Sequence, residues 1–569
     1  HIFHDANFCI CVSHGGTQIQ KHKYKAMRGE TYHSTVLFRE WGGRVDKGMG
    51  DESPNPKDSS VDARHESKDT DRESGSKNPR NEADVGGGYT GPLLLAVFAS
   101  TIGGSFQFGY HIGCVNVPQQ VIKEWYLDSY EHIYGNRPEI EEIAKWQWGI
   151  TVALFAVGGM IGGLASGWAA DHFGRKGAML ANNFVAVLAA VSMSIARYVK
   201  VYHLIMIGRV IIGINAGASS GLVPMYLTEI SPVNLRGTIG SVNQLLVTVA
   251  ILFSQIIGLP QLLGSEQHWP LIFAFTAVPV LVQACTLPFC VESPKYNLLV
   301  REHAEQAEED LKKLRAKDEV TAEMKMMREE AAAMAAVGKV GIADMFRGIY
   351  AWPMFIAIMM MLAQQFSGIN VAMFFSTSIF EGAGLGSNAV YATLGMGTCN
   401  VAMTVISVYL VDHPKFGRRL LLVIGLAGML VTSVLLTVSI TIYNKDTLNN
   451  QWASYPSMVL VFLFVISFAT GPGSIPWFFV SELFDSGARG GANSIAACVN
   501  WTSNFIVGIS WEFLNQSLNQ YAFLIFATFL AFFIFFVWVY VPETKGRSIE
   551  DIKDEMKRGK SIWARQRQH

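Results

Sequence analysis

The sequence predicts an all-α membrane protein whose twelve transmembrane helices form two pseudo-symmetric six-helix halves. Three observations lead to this prediction. Half of the 569 residues are hydrophobic and only 16% are charged, whereas soluble domains usually carry about a quarter charged residues. Long apolar stretches recur along the chain after a polar N-terminal region. A short charged pattern occurs twice, roughly 250 residues apart, which indicates a duplicated half.

Twelve apolar stretches reach the length of about 20 residues that a helix needs to cross a bilayer. Six precede a polar central segment and six follow it. Their bounds are 92–114, 147–170, 177–197, 203–227, 238–262, 269–290, 351–380, 388–411, 420–443, 457–480, 490–513 and 519–541. Lys and Arg near span ends favour the cytoplasmic side of a membrane, and most of them share a side with the central segment. We therefore expect both termini in the cytoplasm.

The spans divide the chain into five regions. Residues 1–88 are polar, so we expect a disordered cytoplasmic N-terminal tail. The two six-helix halves are 89–290 and 351–541. Residues 291–350 connect them and are rich in the helix-forming residues Ala, Glu, Lys and Met, which predicts a cytoplasmic helical linker. Residues 542–569 form a cytoplasmic C-terminal tail.

The composition argues against several classes of function. The net charge of −1 gives no reason to expect a nucleic-acid partner, and the seven cysteines show no metal-ligand spacing. No cluster of carboxylates, histidines or metal ligands lies within the predicted spans. We therefore expect no metal, no cofactor and no enzymatic activity, with the lipid bilayer as the surroundings of the protein.

The repeated charged pattern lies between apolar spans in both halves. In each copy a Glu ends one span, and an Arg followed by Gly begins the next span seven residues later. A further Arg comes from a neighbouring loop. The six residues are Arg175, Glu229 and Arg236 in the first copy and Arg418, Glu482 and Arg489 in the second. A duplicated membrane domain is typical of a transporter that rocks two halves. Arg–carboxylate pairs at these ends would latch the halves together on the cytoplasmic side, so we predict a gating role.

A third element of the duplication follows the sixth span and the twelfth. The sequence ESPK at 292–295 is matched by ETKG at 543–546. Further short motifs occur in and between the spans: DHFGRK at 171–176, GRVIIG at 208–213, PMY at 224–226, EISPVNLRG at 229–237, QQFSGIN at 364–370, GPGSIPW at 471–477, NWTSN at 500–504 and PETKG at 542–546.

On these motifs the chain resembles the sugar porter family of the major facilitator superfamily, and within it the GLUT-type facilitative hexose carriers of animals. The resemblance covers about residues 90–555. It implies the major facilitator fold and uniport of hexoses, D-glucose and D-fructose, across the plasma membrane by alternating access. A hexose is then the expected substrate.

Side-chain amides are concentrated in the spans of the second half. An amide both donates and accepts hydrogen bonds, as a sugar hydroxyl requires, and polar groups inside a membrane are costly unless they are paired or functional. Helix–helix hydrogen bonding would explain any one of them, but the set together favours ligand contact. The resemblance places the sugar contacts at Gln244, Gln364, Gln365, Asn370, Asn400, Trp477 and Asn500, with Trp501 and Asn504 as neighbouring positions.

Three positions bear on the choice of sugar. Glucose carriers of the family usually have Glu where Ala469 stands, and many carry Gln-Leu-Ser where residues 361–363 read Met-Leu-Ala. Trp477 argues in the opposite direction, because fructose-selective relatives tend to have a small residue there. A carrier that accepts both glucose and fructose fits this combination.

Two alternatives to uniport stay open. His111 on span 1 occupies a position where proton-coupled sugar porters typically have Asp and facilitative relatives have Asn. Histidine titrates near neutral pH, so a proton-coupled symporter with His111 as the titrating group is one alternative, although a neutral imidazole that hydrogen-bonds as Asn would is the simpler interpretation. A membrane hexose sensor is the other alternative, and it would need long structured tails.

Overall fold

Twelve long helices connect the two ends of the molecule. The computed structural model describes residues 87–135, 140–337, 341–413, 415–447, 449–484, 486–545, 547 and 549–557. All of them belong to the unit Asn78–His569. Nearly the whole of the predicted N-terminal tail lies outside the described residues.

The first six spans follow the predicted apolar stretches closely. Span 1 is nearly continuous but changes to a π-helix over Ile102–Phe106, and span 6 bends after Ala274. The bounds of spans 1 to 6 are Gly91–Gly113, Ile140–Phe173, Arg175–Val199, His203–Ile230, Arg236–Ile257 and Trp269–Phe289.

The second six spans contain two broken helices, spans 7 and 10. Span 7 consists of Ala351–Phe366 and Ile369–Phe380, and span 10 of Ser454–Thr470 and Ile475–Leu483. Spans 8, 9, 11 and 12 are Ala389–Asp412, Arg418–Lys445, Ser486–Leu518 and Ala522–Tyr540.

The predicted count of twelve spans is confirmed in the described part of the chain. Ten helical segments are long and apolar enough to cross a membrane. Two of them, Gly348–Val411 and Ala488–Tyr540, each contain two spans joined by a short turn. The bundle is therefore an all-α membrane fold of two six-helix halves.

Both breaks have a local cause in the sequence. At the break in span 7, Gly368 has φ +87°, a left-handed conformation that residues with a side chain rarely adopt. At the break in span 10, the helix stops at Thr470 and restarts at Ile475, as expected for a segment that contains Gly-Pro-Gly. The Gly-Pro-Gly stretch is a sequence signal for the second break, whereas the first break has no comparable signal.

The linker, the start of span 1 and the described residues after span 12 lie at one end of the bundle, which we call the linker side; the opposite end is the far side. The linker contains the helices Pro294–Leu299, Ala304–Arg315 and Thr321–Val337. Arg315 ties it to the first half, because its Nη1 donates to the carbonyl of Ile230 at the end of span 4 over 2.8 Å. A further helix, Gln119–Tyr134, lies on the far side between spans 1 and 2.

The two halves meet along two seams. Span 11 packs against span 2 and span 8 packs against span 5. At the first seam the ring of Trp501 lies directly over Gly159, where a Cβ atom would come within 2.3 Å of the indole. Such close contacts at small residues are typical of helix packing in membranes.

Candidate functional site

Four of the predicted amides meet in the second half. Gln365 Nε2 donates to Asn500 Oδ1 over 3.0 Å, and Asn500 Nδ2 donates to Gln364 Oε1 over 2.7 Å. Asn370 Nδ2 donates to Gln365 Oε1. All four side chains are buried. They form a connected network, which we call the amide cluster, between spans 7 and 11.

The amide cluster is also attached to the break in span 10. Gln364 Nε2 donates to the carbonyl oxygens of Pro472 and Gly473 over 2.8 and 2.9 Å. Buried carbonyls need hydrogen-bond partners, and the helix break leaves these two without a helical N–H. Gln364 therefore joins spans 7 and 10, and through Asn500 it joins span 11 as well.

The other three predicted contacts lie on other spans. Asn400 on span 8 is buried, whereas Trp477 on span 10 and Gln244 on span 5 are half-buried. Within the described residues, none of these three side chains forms a hydrogen bond with the amide cluster. Their donors and acceptors are therefore available to a ligand.

The neighbouring candidate Trp501 faces the first half. Its ring centroid lies 5.5 Å from that of Phe108 on span 1 and 5.7 Å from that of Phe155 on span 2. Its indole N–H is buried without a hydrogen-bond partner among the described residues. Asn504, one turn further along span 11, is also buried. Trp501 thus lies at the seam between the halves, next to Asn500.

His111 is fully buried within the first half. Its Nε2 lies 3.0 Å from Thr276 Oγ1 on span 6, and its Nδ1 lies 3.7 Å from Cys114 Sγ. Its backbone carbonyl accepts a hydrogen bond from Arg209 Nη1 over 2.9 Å. Among the described residues, no carboxylate contacts the ring. A neutral imidazole can make both side-chain contacts, with one nitrogen donating and the other accepting.

The first charged pattern forms a tight network on the linker side, which we call the first cassette. Arg175 binds Glu229 through two parallel hydrogen bonds of 2.9 Å each, from Nε and Nη2. Glu292 accepts from the backbone N–H groups of Arg175 and Lys176 at the start of span 3. A carboxylate is favourable there, because the first N–H groups of a helix lack partners and carry partial positive charge.

Burial shifts the pKa of Glu292, the carboxylate that caps span 3. Glu292 lies beyond the end of span 6, and its burial raises the pKa of its carboxyl above the ordinary value for glutamate. Hydrogen bonds from the backbone N–H groups of Ser293 and Lys176 and the charge of Arg175 oppose that shift. The carboxylate is thus held by specific donors in a partly desolvated position.

The second cassette repeats the arrangement around Arg418. Its Nη2 lies 3.6 Å from Glu482 Oε1, and Glu543 accepts from the backbone N–H groups of Arg418 and Arg419 over 2.8 and 3.2 Å. Thr544 Oγ1 also donates to Glu482. The echo of the sequence 292–295 at 543–546 therefore reflects two equivalent carboxylate caps. Sequence reasoning noticed this echo without assigning it a role.

The pairing within the cassettes differs from the sequence hypothesis. Glu229 pairs with Arg175, while Arg236 Nε is buried without a hydrogen-bond partner among the described residues. Arg489 donates to the carbonyls of Ser481 and Phe484. Arg175 and Glu229 both belong to the first half, and Arg418 and Glu482 both belong to the second, so these two ion pairs do not bridge the halves here. The reason is geometric, since spans 3 and 4 of the first half end side by side on the linker side.

The far side is closed by contacts that sequence reasoning missed. Asn116, just beyond span 1, donates through Nδ2 to the Met373 carbonyl over 2.8 Å and to Ser376 Oγ over 2.7 Å. Gln119 Nε2 donates to Ser378 Oγ over 2.7 Å. These bonds join the first half to the second helix of span 7. The only signal in the sequence is a pair of amides placed directly after a span.

A duplicated twelve-span bundle, closed on one side and with uncharged amides between its broken helices, defines a membrane transporter of the alternating-access class. The family model described as "Sugar (and other) transporter" matches residues 96–556. The chain belongs to this family, as a sugar porter of the major facilitator superfamily.

Curated relatives and a solved structure agree with this assignment. The chain is 56% identical to facilitated glucose transporter protein 1 of Caenorhabditis elegans over 475 residues, which cover 83% of this chain and 92% of that protein. It is 41% identical to the chicken solute carrier family 2, facilitated glucose transporter member 1, over 84% of this chain and 96% of that protein. The xylose transporter XylE of E. coli, in a partially occluded inward open conformation, matches with a TM-score of 0.66 at 24% identity, over 81% of this chain and 100% of that chain. The XylE match shows the fold.

Proposed function

We propose that this protein is a facilitative uniporter that carries hexoses, D-glucose and D-fructose, across the plasma membrane by alternating access. The amide cluster is the observation that carries the proposal. It offers buried donors and acceptors without a net charge, as a neutral polyhydroxyl solute requires. Family membership supports the same conclusion, since two relatives that are 56% and 41% identical to the chain are named facilitated glucose transporters.

The amide cluster binds the sugar in this proposal. Its members already satisfy one another, so a hexose exchanges amide–amide hydrogen bonds for amide–hydroxyl bonds at little net cost. Asn400, Gln244 and the face of Trp477 complete the site from spans 8, 5 and 10. Gln364 donates hydrogen bonds to the carbonyls at the break of span 10, so a sugar that binds the amide cluster also changes the contacts that hold this break.

We further propose that the linker side faces the cytoplasm, together with both termini. The excess of Lys and Arg at the span ends on this side supports that orientation. The region bounds 89–290, 291–350 and 351–541 then correspond to the first half, a cytoplasmic linker and the second half.

The cassettes have a gating role in this scheme. Each cassette joins the start of one span, the end of the following span and the segment after the last span of its half. The six residues to which we assign the gating role are Arg175, Glu229, Arg236, Arg418, Glu482 and Arg489. A network of this kind biases the two-state equilibrium between outward and inward opening. The variant Glu482→Gln is expected to change the transport rate and the inward–outward bias. If both stay at the wild-type value, Glu482 has no gating role.

Transport by purified protein in liposomes tests the main proposal. We expect uptake of labelled D-glucose and D-fructose that stops when the concentrations on the two sides are equal. Mutual competition between the two sugars would show a shared site, and L-glucose serves as the control for leakage. Absence of saturable D-glucose uptake would contradict the proposal.

Proton-coupled symport through His111 is the second candidate, because a titratable ring lies fully buried beside Arg209. A pH gradient imposed on the same liposomes separates the two. A uniporter reaches equal sugar concentrations with or without the gradient, whereas a symporter accumulates sugar above equality. The variant His111→Asn would abolish accumulation in a symporter and leave equilibration in a uniporter.

A further inference from the structure

Span 5 carries a buried amide that the proposed site does not use. Gln255 is fully buried, and neither its Oε1 nor its Nε2 has a hydrogen-bond partner among the described residues. Buried polar side chains are nearly always hydrogen-bonded in native proteins. An amide with both ends unpaired therefore calls for an explanation in a second state of the protein.

The position of Gln255 on its helix relates it to the sugar site. Both Gln244 and Gln255 lie on the helix Arg236–Ile257, eleven residues apart in the sequence. At 3.6 residues per turn this spacing returns to within about 20° of the same direction, about 16 Å further along the axis. Gln255 thus lies on the same face of span 5 as Gln244, displaced toward the far side.

A glycine of the other half covers this amide. A Cβ atom at Gly397 on span 8 would lie 2.3 Å from Gln255 Oε1, so the amide packs directly against the backbone of the other half at this point of the seam. Nearer the far side, Gln261 Nε2 donates to Tyr391 Oη over 3.1 Å across the same seam. We expect opening of the far side to separate these two spans and uncover the amide.

We propose that Gln255 forms an outer hexose subsite, which a sugar contacts on its way from the far side to Gln244. This inference rests on the proposed hexose transport. A side-chain amide can bind a pair of adjacent sugar hydroxyls by donating to one and accepting from the other. In the closed far side described here the subsite is sealed by Gly397, which explains why both polar ends of Gln255 are without partners.

A hexose analogue that binds from outside without being transported tests the proposal, because its binding reports on the far-side part of the path. The probe is 4,6-O-benzylidene-D-glucose, applied outside cells that express the full chain and first shown not to be taken up. Its inhibition of D-glucose uptake is measured for the wild type, Gln255→Met, Gln255→Asn and Gln261→Met. Methionine keeps the length of the side chain and removes both hydrogen-bonding groups, asparagine keeps the amide, and Gln261→Met removes an exposed amide at the same seam.

We expect the loss of the Gln255 amide to weaken inhibition by the probe more than it weakens the binding of D-glucose. Inhibition by the probe weakens roughly 3- to 10-fold in Gln255→Met, as for one lost hydrogen-bond pair, and weakens less in Gln255→Asn. The half-saturation concentration for D-glucose rises by a smaller factor in both variants, because D-glucose also binds the amide cluster. All values for Gln261→Met stay close to wild type. An equal change for probe and D-glucose would overturn the proposal, because a shifted population of open forms scales the affinity of every far-side ligand alike. Unchanged inhibition in Gln255→Met would overturn it too. Absence of D-glucose uptake by the wild type would instead contradict the proposed function itself.

Discussion

The two halves of the molecule match on the linker side and differ at the centre. Both cassettes use a carboxylate to cap the start of a span, Glu292 at span 3 and Glu543 at span 9. In both cassettes a lysine also donates to backbone carbonyls near the cap. Lys176 Nζ donates to the carbonyls of Pro288 and Cys290, and Lys545 Nζ donates to those of His413 and Phe416. The amide cluster, in contrast, comes from the second half alone.

The two cassettes also differ in tightness. The pair of Arg175 and Glu229 is bidentate, and the side chains are only 10% and 14% exposed. The contact between Arg418 Nη2 and Glu482 Oε1 is 3.6 Å long, and the carboxylate is 30% exposed. Glu482 lies at the end of the broken span 10. From this difference we expect the first half to be the more rigid one, and we propose that the second half couples sugar binding to movement of its linker-side end.

The largest expected effect tests the asymmetry at the centre. Gln364→Leu removes one acceptor and two donors that join spans 7, 10 and 11, whereas Gln244→Leu removes one amide that is free of the cluster. At about 0.5–1.5 kcal/mol for each hydrogen bond, we expect the initial rate of D-glucose uptake at low concentration to fall about 10- to 100-fold for Gln364→Leu. The loss for Gln244→Leu should stay below about tenfold.

Equal losses in these two variants would break the comparison, because sugar recognition would then be shared evenly between the halves. Protein levels in the membrane and melting temperatures have to be measured alongside, so that a folding defect in Gln364→Leu is not taken for lost recognition.

The next effect tests the difference between the cassettes. Arg175→Gln breaks a bidentate, mostly buried pair and should destabilise the protein by about 1–3 kcal/mol. Arg418→Gln breaks a longer and more exposed contact and should cost less. The melting temperature of the detergent-purified protein measures both. Lys313→Gln is the matched control, since its pair with Glu309 is 54% and 59% exposed and exposed pairs contribute about 0–1 kcal/mol. A larger drop in melting temperature for Arg418→Gln than for Arg175→Gln would mean that the second half, not the first, is the more rigid one.

Sequence patterns predicted the fold and singled out the four residues of the amide cluster for one physical reason. Apolar length and charge placement determine which segments enter a membrane, so the twelve spans and the break at Gly471 to Gly473 were predictable. The break at Gly368 was not, because a lone glycine in an apolar run gives no sign of the +87° φ angle it will adopt. Amides on spans 7 and 11 were identified as a set since their residue type is rare and costly in a membrane.

The sequence did not reveal which residues pair with one another across separate helices. The seven-residue spacing suggested that Glu229 pairs with Arg236, but the long side chain of Arg175 reaches it from a neighbouring span. Likewise, no pattern indicates that Gln364 will donate to the carbonyls at the break of span 10. Both contacts depend on how separate helices are packed, which a single sequence does not specify.

The smallest effect concerns the cap of the first cassette. Burial raises the pKa of Glu292, so the folded protein binds a proton at this carboxyl more readily than the unfolded chain. Stability from this group therefore falls as the pH rises from the ordinary glutamate range through the raised pKa, and it is recovered on acidification. Glu292→Gln, which is neutral at every pH, lacks this response. Between pH 7.5 and pH 5 the melting temperature of the wild type should thus rise relative to that of Glu292→Gln by roughly 1–2 °C.

The exposed residue Glu309 provides the control for that measurement, because Glu309→Gln changes the same charge on a solvated helix of the linker. If the wild type loses stability relative to Glu292→Gln on acidification, the backbone N–H donors, rather than burial, determine the pKa of the Glu292 carboxyl. The first cassette would then owe its tightness to its charge, and the rigidity assigned to the first half would depend on pH in the opposite sense.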